Sequence, residues 1–226
     1  MIQPYYQDDY ATIYHGDCRE ILPQVFPETS VSLITDPVWP NAKVPLYGAT
    51  DPRQMLSDMF SSLPRAAERA SIHLGCDSDP RFLMAVPSNY DFFRVVSLEI
   101  ARVGYKGRLL MTGDIAYLFG RVPKSKSGQH VIPGRFIDAD SSGKQSNHPC
   151  PRKVGHVRWL VKWWSEDSDC IVDPFGGSCT TSLAAKMEGR KSICIEYDEA
   201  YCEEGARRLS IGPLFDFERR PVWAVM

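Results

Sequence analysis

The run CIVDPFGGSCTTSLAAKMEGRKSICIEY, residues 170–197, leaves a chain few ways to fold. CIVDPF, residues 170–175, is an apolar strand, and GGSCTT is a turn built of small residues. Thr180, Leu183, Ala184 and Met187 then recur at helical spacing until Gly189 ends the helix. SICIEY is a second apolar strand, and another helix begins near Asp198. A β-α-β-α unit of this kind demands a parallel sheet, because two strands joined through a helix run in the same direction.

The rest of the chain supplies the other strands. TIYH (12–15), VSLIT (31–35) and ASIHL (70–74) are short apolar or β-branched runs separated by segments with helical features. Asp51 is placed to cap a helix over 51–69 with Pro52 at its first position; Met55, Met59, Leu63 and Ala66 share a face, and Pro64 kinks or shortens it. Residues 92–102 and 108–119 read as strands joined through VGYKG, which predicts an antiparallel hairpin at a sheet edge. In 155–165, Val157, Leu160, Val161 and Trp164 form one apolar helical face. Residues 120–151, rich in Gly, Pro and Ser, read as a long loop, a length that in a compact domain points to function. A chain of 226 residues with this alternation is expected to form one α/β domain.

Composition narrows the function classes. No apolar run approaches the roughly 18 residues of a membrane span, and the first residues carry no leader pattern, so a cytoplasmic protein is expected. The seven cysteines form no CxxC pair, and reduced thiols are expected. His148, Cys150, His156 and Cys170 match no usual zinc spacing, so no metal is expected. The formal net charge is -2, yet residues 101–164 hold twelve Lys or Arg against three acids. Such a local excess suits a polyanionic partner.

DPFGGSCTT also has the form of a nucleotide-type site: a strand end, small residues that let a ligand approach the backbone, and a helix N-terminus with unpaired N–H groups. Glu196 closes the following strand, where a carboxylate can accept hydrogen bonds from both hydroxyls of a ribose. A ribose-bearing cofactor follows from the pair. Far upstream, LITDPVWPN (33–41) is a strand that ends on a carboxylate, a proline and an aromatic ring.

DPFGGSCTT with IEYDEAYCEEGARRL resembles the S-adenosylmethionine-binding half of the DNA amino-methyltransferases, whose usual form is DPF-x-GSGTT followed by I-x-x-E-x-x-x-x-Y. In the same resemblance YHGDC (14–18) precedes the catalytic segment, DPVW matches the D-P-P-aromatic loop, and HPCPRK resembles HP-x-x-K-P. The order, catalytic loop first and cofactor loop last, is that of the permuted β-type enzymes. The implied fold is a Rossmann-like methyltransferase: doubly wound α/β with a mostly parallel seven-stranded sheet and an antiparallel edge hairpin. Three departures stand out: Val38 for a second proline, Cys179 for a glycine, and Arg152–Lys153 for Lys-Pro.

The resemblance implies methyl transfer to an exocyclic amino group in DNA, with adenine N6 favoured by the acid of DPVW. Asp36 and the carbonyl of Pro37 would accept the amino hydrogens, Val38 would complete the loop, and Trp39 would stack on an extruded base. Phe175, Gly176, Gly177, Ser178, Thr180, Thr181 and Glu196 would hold the cofactor, with Asp17 near its adenine and Asp173 organising the turn and approaching its amino group. Residues 121–151 become the expected target-recognition loop, with Arg121, Lys124, Lys126, Arg135, Lys144, Arg152 and Lys153 along the DNA backbone. Because that insertion is short, either specificity is lax or a homodimer supplies further contacts. Cytosine N4, RNA and protein-amide methylation, and an inactive DNA-binding homologue, are the alternatives. A restriction system, a phage or a housekeeping role would all carry the same sequence.

Overall fold

A computed structural model of the chain describes residues 2–42, 46–124, 133–138 and 152–211, the side chains of 102–106, 109 and 111 excepted. The strands, in chain order, are β1 (Tyr6–Gln7), β2 (Ala11–His15), β3 (Val31–Thr35), β4 (Arg69–Gly75), β5 (Phe92–Lys106), β6 (Leu109–Gly120), β7 (Arg135–Asp138), β8 (Cys170–Asp173) and β9 (Ser192–Glu196). The helices are α1 (Cys18–Val25), α2 (Pro52–Ser62), α3 (Val154–Trp163), α4 (Thr180–Met187) and α5 (Glu199–Ser210). All nine strands join one sheet in the order β1-β2-β9-β8-β3-β4-β6-β5-β7.

The centre of that sheet, from β2 to β4, is entirely parallel. Its strands are covered on both faces, as parallel sheets require. Along β3 the alternation is explicit: Val31 and Leu33 pack with Leu22, Met55, Leu56 and Met59 of α1 and α2, whereas Ile34 packs with Val157, Leu160 and Trp164 on the α3 side. Trp164 is fully buried, so its indole N–H needs an internal acceptor, and it donates to the Ala70 carbonyl at 3.1 Å. A third cluster unites Ala11, Ile13, Cys194, Cys202 and Leu209, seating α5 against β2 and β9.

Among the described residues nine strands, not seven, make the sheet, and the hairpin is not its edge. β6 runs antiparallel to both β4 and β5, but β7 pairs parallel to β5 outside it through Ser97–Arg135 to Ile100–Asp138. The expected loop over 120–151 thus contains a strand. RFID is too short to show a period-two pattern and is hidden among turn-forming residues. The two-residue β1, antiparallel to β2, is likewise too short to carry a pattern. The hairpin turn also lies later than VGYKG suggested, because β5 continues to Lys106 and Gly107 takes φ +61.

Helix α2 starts as expected, with the Asp51 carboxylate accepting from the Gln54 amide at 3.0 Å and Pro52 in the first turn. It ends at Ser62 with Leu63 extended, short of Ala66, since Pro64 excludes helical backbone in the residue before it. No helix among the described residues is long and apolar enough to cross a membrane. No cluster of His, Cys, Asp or Glu among them is arranged to hold a metal ion.

Candidate active site

β3 and β8 are neighbours, paired from Val31–Cys170 to Leu33–Val172. Their following helices cover opposite faces, α2 one side and α4 the other. A crevice opens where adjacent parallel strands send their connections to opposite faces, at the carboxyl ends of the strands. Here that crevice is a cavity of about 1020 Å³ lined by Gly16 and Asp17, by Asp36 to Trp39, by His73 and Arg152, by Asp173 to Ser178, by Thr180 and Thr181, and by Glu196 to Asp198. Two segments more than 130 residues apart in the chain therefore line one cavity. Thr35 ties them directly, its hydroxyl donating to the Asp173 carboxylate at 2.7 Å.

The DPVW tip is held rigidly without a second proline. One Asp36 oxygen accepts the indole N–H of Trp39 at 2.8 Å, and the other accepts Nε of Arg152. Trp39 packs so closely on Gly75 that a Cβ there would sit 2.6 Å from its ring. The side-chain bond and this packing provide the constraint that Val38 does not.

Opposite lies the turn after β8. Asp173 is buried, and its carboxylate accepts from the Thr35 hydroxyl and from the Phe175 amide at 3.1 Å. Burial pushes its pKa up to about 6, against the lowering effect of those hydrogen bonds. Glu196 accepts from the Gly177 amide at 2.6 Å and from the Asp198 amide at 2.8 Å, and burial raises its pKa as well. Asp17 caps α1 and binds Arg19 and the Tyr47 hydroxyl at 2.9 Å, and the Arg19 guanidinium lowers its pKa. Gly176 leaves no room for a side chain, since a Cβ would lie 2.1 Å from the Cys194 sulfur.

Cys179 takes the left-handed conformation, φ 57 and ψ 36, that glycine would adopt freely. The strain is of order 1 to 2 kcal/mol. Its side chain is accommodated because Gly205 on α5 leaves space: a Cβ on Gly205 would come 2.4 Å from the Cys179 sulfur. The cysteine fills a small pocket with Cys194 and Cys202 instead of pointing at the cavity.

Among the basic residues expected along DNA, Arg152 reaches into the cavity, bound to Asp36 and, through Nη1, to Asp114 at 2.8 Å. Arg121, Lys124 and Arg135 are exposed and lie off the cavity, while Lys153 immediately precedes α3. Lys126 and Lys144 lie outside the described residues, as does most of 121–151.

Four side chains that the sequence did not flag belong to the site. Tyr47 and Tyr197 stack at its mouth, 3.6 Å between ring centres and 2° from parallel. Arg208 clasps the turn after β8 through Ser178 Oγ and Thr180 Oγ1, both at 3.0 Å. His73, buried in β4, lines the cavity, and its Nε2 has no hydrogen-bond partner among the described residues. Burial lowers its pKa to about 3, so it is neutral at physiological pH. A histidine inside the apolar run ASIHL was the one readable signal.

The comparisons with known proteins agree with this fold. The family model described as DNA methylase, for N6 and N4 enzymes, matches residues 107–207, from β6 into α5. A DNA adenine methyltransferase of Escherichia coli, YhdJ, is 26% identical over 155 residues; the match covers 66% of this chain and 50% of the relative, so the chain spans half its length. Two solved structures share the fold. The M1.HpyAVI complex with S-adenosylmethionine matches at TM-score 0.67 and 19% identity, covering 88% of this chain and 98% of that one. The cytosine-N4-specific PvuII DNA methyltransferase matches at TM-score 0.68 and 21% identity, covering 92% and 89%. In its motifs, its sheet and these matches, the chain is similar to the N6/N4 DNA methylases.

Proposed function

We propose that this chain methylates an exocyclic amino group of a base in DNA, adenine N6 in particular, using S-adenosylmethionine. The carrying observation is that Asp36 and Trp39 share one cavity with Asp173, the glycine turn and Glu196. The acid that opens DPVW supports adenine, and so does the relative YhdJ, named as an adenine methyltransferase.

The residues present fit the cofactor. Asp173 is a buried acid whose partners are the Thr35 and Thr181 hydroxyls and the Phe175 amide, a setting that favours an arriving ammonium group. Glu196 retains lone pairs for ribose hydroxyls beyond its two amide bonds, because an ionised carboxylate has about four acceptor sites. Gly176 and Gly177 keep the turn free of side chains at the cavity wall. When bound, S-adenosylmethionine supplies a methyl carbon on a sulfonium: one N–C bond forms, one S–C bond breaks, and the amine releases one proton.

The chain's own task is to make a poor nucleophile competent. An aromatic amine delocalises its lone pair into the ring. Asp36 and the Pro37 carbonyl accept its hydrogens and draw the nitrogen toward a tetrahedral shape, and Trp39 fixes the base plane. The acceptors are in place beforehand, since Pro37 restricts the backbone of both residues.

Acid should weaken cofactor binding. Asp173 holds a proton below about pH 6, and an ammonium partner needs it ionised. Affinity measured calorimetrically is therefore expected to fall by up to about tenfold per pH unit below 6 and to level off above it. A flat profile from pH 5 to 8 would remove Asp173 from this role. The function itself is tested by incubating the protein with methyl-labelled cofactor and separate DNA, RNA and protein pools. Label in N6-methyladenine from DNA is expected. Label confined to RNA or protein contradicts the proposal.

A further inference from the structure

We propose that Arg152 is the placeholder of the target base: its guanidinium occupies the slot between Asp36 and Trp39 and withdraws toward Asp114 as the base enters. The proposal deepens, and rests on, the base-methylating reading above.

The guanidinium engages both groups that an extruded base would need. Its Nε donates to Asp36, and its Cζ lies 4.1 Å from the centre of the Trp39 ring. A flat, delocalised cation with N–H donors in its plane stacks on an indole and pairs with a carboxylate at once. An amino-bearing heterocycle presents the same two features, a planar face and N–H donors along one edge. The slot is thus filled by a mimic of its ligand.

The geometry also says which partner moves. Trp39 is pinned by its bond to Asp36 and by its packing on Gly75. Asp36 is held at the end of β3, beside the Thr35–Asp173 link. Arg152 has a long side chain and a second anchor, the Asp114 carboxylate on β6, bonded to Nη1 at 2.8 Å. Releasing Nε while keeping Nη1 vacates the slot without leaving the guanidinium unpaired.

Two consequences follow. Before a base enters, Arg152 neutralises a carboxylate that would otherwise repel the approaching polyanion. Entry then exchanges one stacked, carboxylate-bound group for another, so only a base with amino hydrogens can replace what Arg152 gives up. Thymine or uracil would set a carbonyl against Asp36 and leave that acceptor unpaired.

The test uses the full chain with S-adenosylhomocysteine and a duplex carrying its mapped methylation site, with 2-aminopurine placed beside the target base. Emission from 2-aminopurine rises when its stacking neighbour leaves the helix. Arg152→Gln is expected to raise that emission at least twofold over the wild type at saturating protein, with cofactor affinity unchanged. Arg152→Lys, which keeps the charge but not the flat donor array, should shift it in the same direction and serves if the Gln variant does not fold. Unchanged or lower emission in bound complexes of the folded variants overturns the placeholder role. Equal weakening on every DNA sequence, with a shallower salt dependence, would make Arg152 a phosphate contact and also overturn it. Failure of the underlying reading is distinguishable, because the wild type would then methylate no DNA at all.

Discussion

Asp36→Ala is expected to reduce methyl transfer by about a thousandfold while cofactor affinity changes by less than about twofold. Preorganised hydrogen-bond partners at a reacting group are typically worth 10²- to 10³-fold each in rate. Asp36 supplies one such partner and also holds Trp39 through the 2.8 Å indole bond. Its loss therefore removes an acceptor and loosens the stacking surface together. The groups proposed to hold the cofactor lie across the cavity on the turn after β8 and at Glu196, none of them bonded to Asp36, so binding there is expected to survive. Asp36→Asn keeps an acceptor oxygen and should retain more activity than the alanine variant. Single-turnover rates with labelled cofactor, beside calorimetric affinities, separate the two effects. Alanine activity within tenfold of wild type would remove Asp36 from the chemistry.

Gly176→Ala should damage both stability and cofactor binding. The added Cβ would lie 2.1 Å from the Cys194 sulfur and 3.2 Å from the Ile195 carbonyl oxygen. Neither neighbour can yield cheaply, because Cys194 is fully buried in β9 and Ile195 O accepts the Gly176 amide at 2.9 Å. Overpacking of this kind costs roughly 1 to 3 kcal/mol. The turn must move off β9, which breaks the 2.6 Å bond between the Gly177 amide and Glu196. A fall in Tm and at least a tenfold loss of cofactor affinity are expected. Cys194→Ala in the same chain removes the clashing sulfur and should recover part of both losses, giving a favourable coupling in a double-mutant cycle. Wild-type Tm and affinity in the single variant would show that the turn has slack where none is visible.

Much of this fold was legible because the deciding signals are local. Asp51 and Pro52 announce the start of α2, Pro64 its end, and the alternation of buried strands with apolar-faced helices fixes the parallel centre of the sheet. The proximity of Asp36 to the cofactor turn was also readable, since β3 and β8 carry complementary tips and proved to be neighbours. What stayed hidden depends on contacts distant in sequence. RFID becomes a strand only because β5 offers it an edge. The Cys179 side chain finds room because a glycine stands 26 residues later on α5. Tyr47 and Tyr197 find each other across 150 residues, and no pattern within either neighbourhood foretells it. Arg152 stood out only as a cation along the DNA backbone and, with Lys153, as the replacement for a Lys-Pro pair, and only the fold brings it against Asp36, Asp114 and Trp39.

The most direct measurement is a crystal structure of the chain with a non-transferable S-adenosylmethionine analogue such as sinefungin. The account predicts its ribose at Glu196, its amino acid end by Asp173, and the group that replaces the sulfonium methyl facing Asp36 and Trp39. An analogue bound with that group turned away from Asp36, or bound outside this crevice, would contradict it.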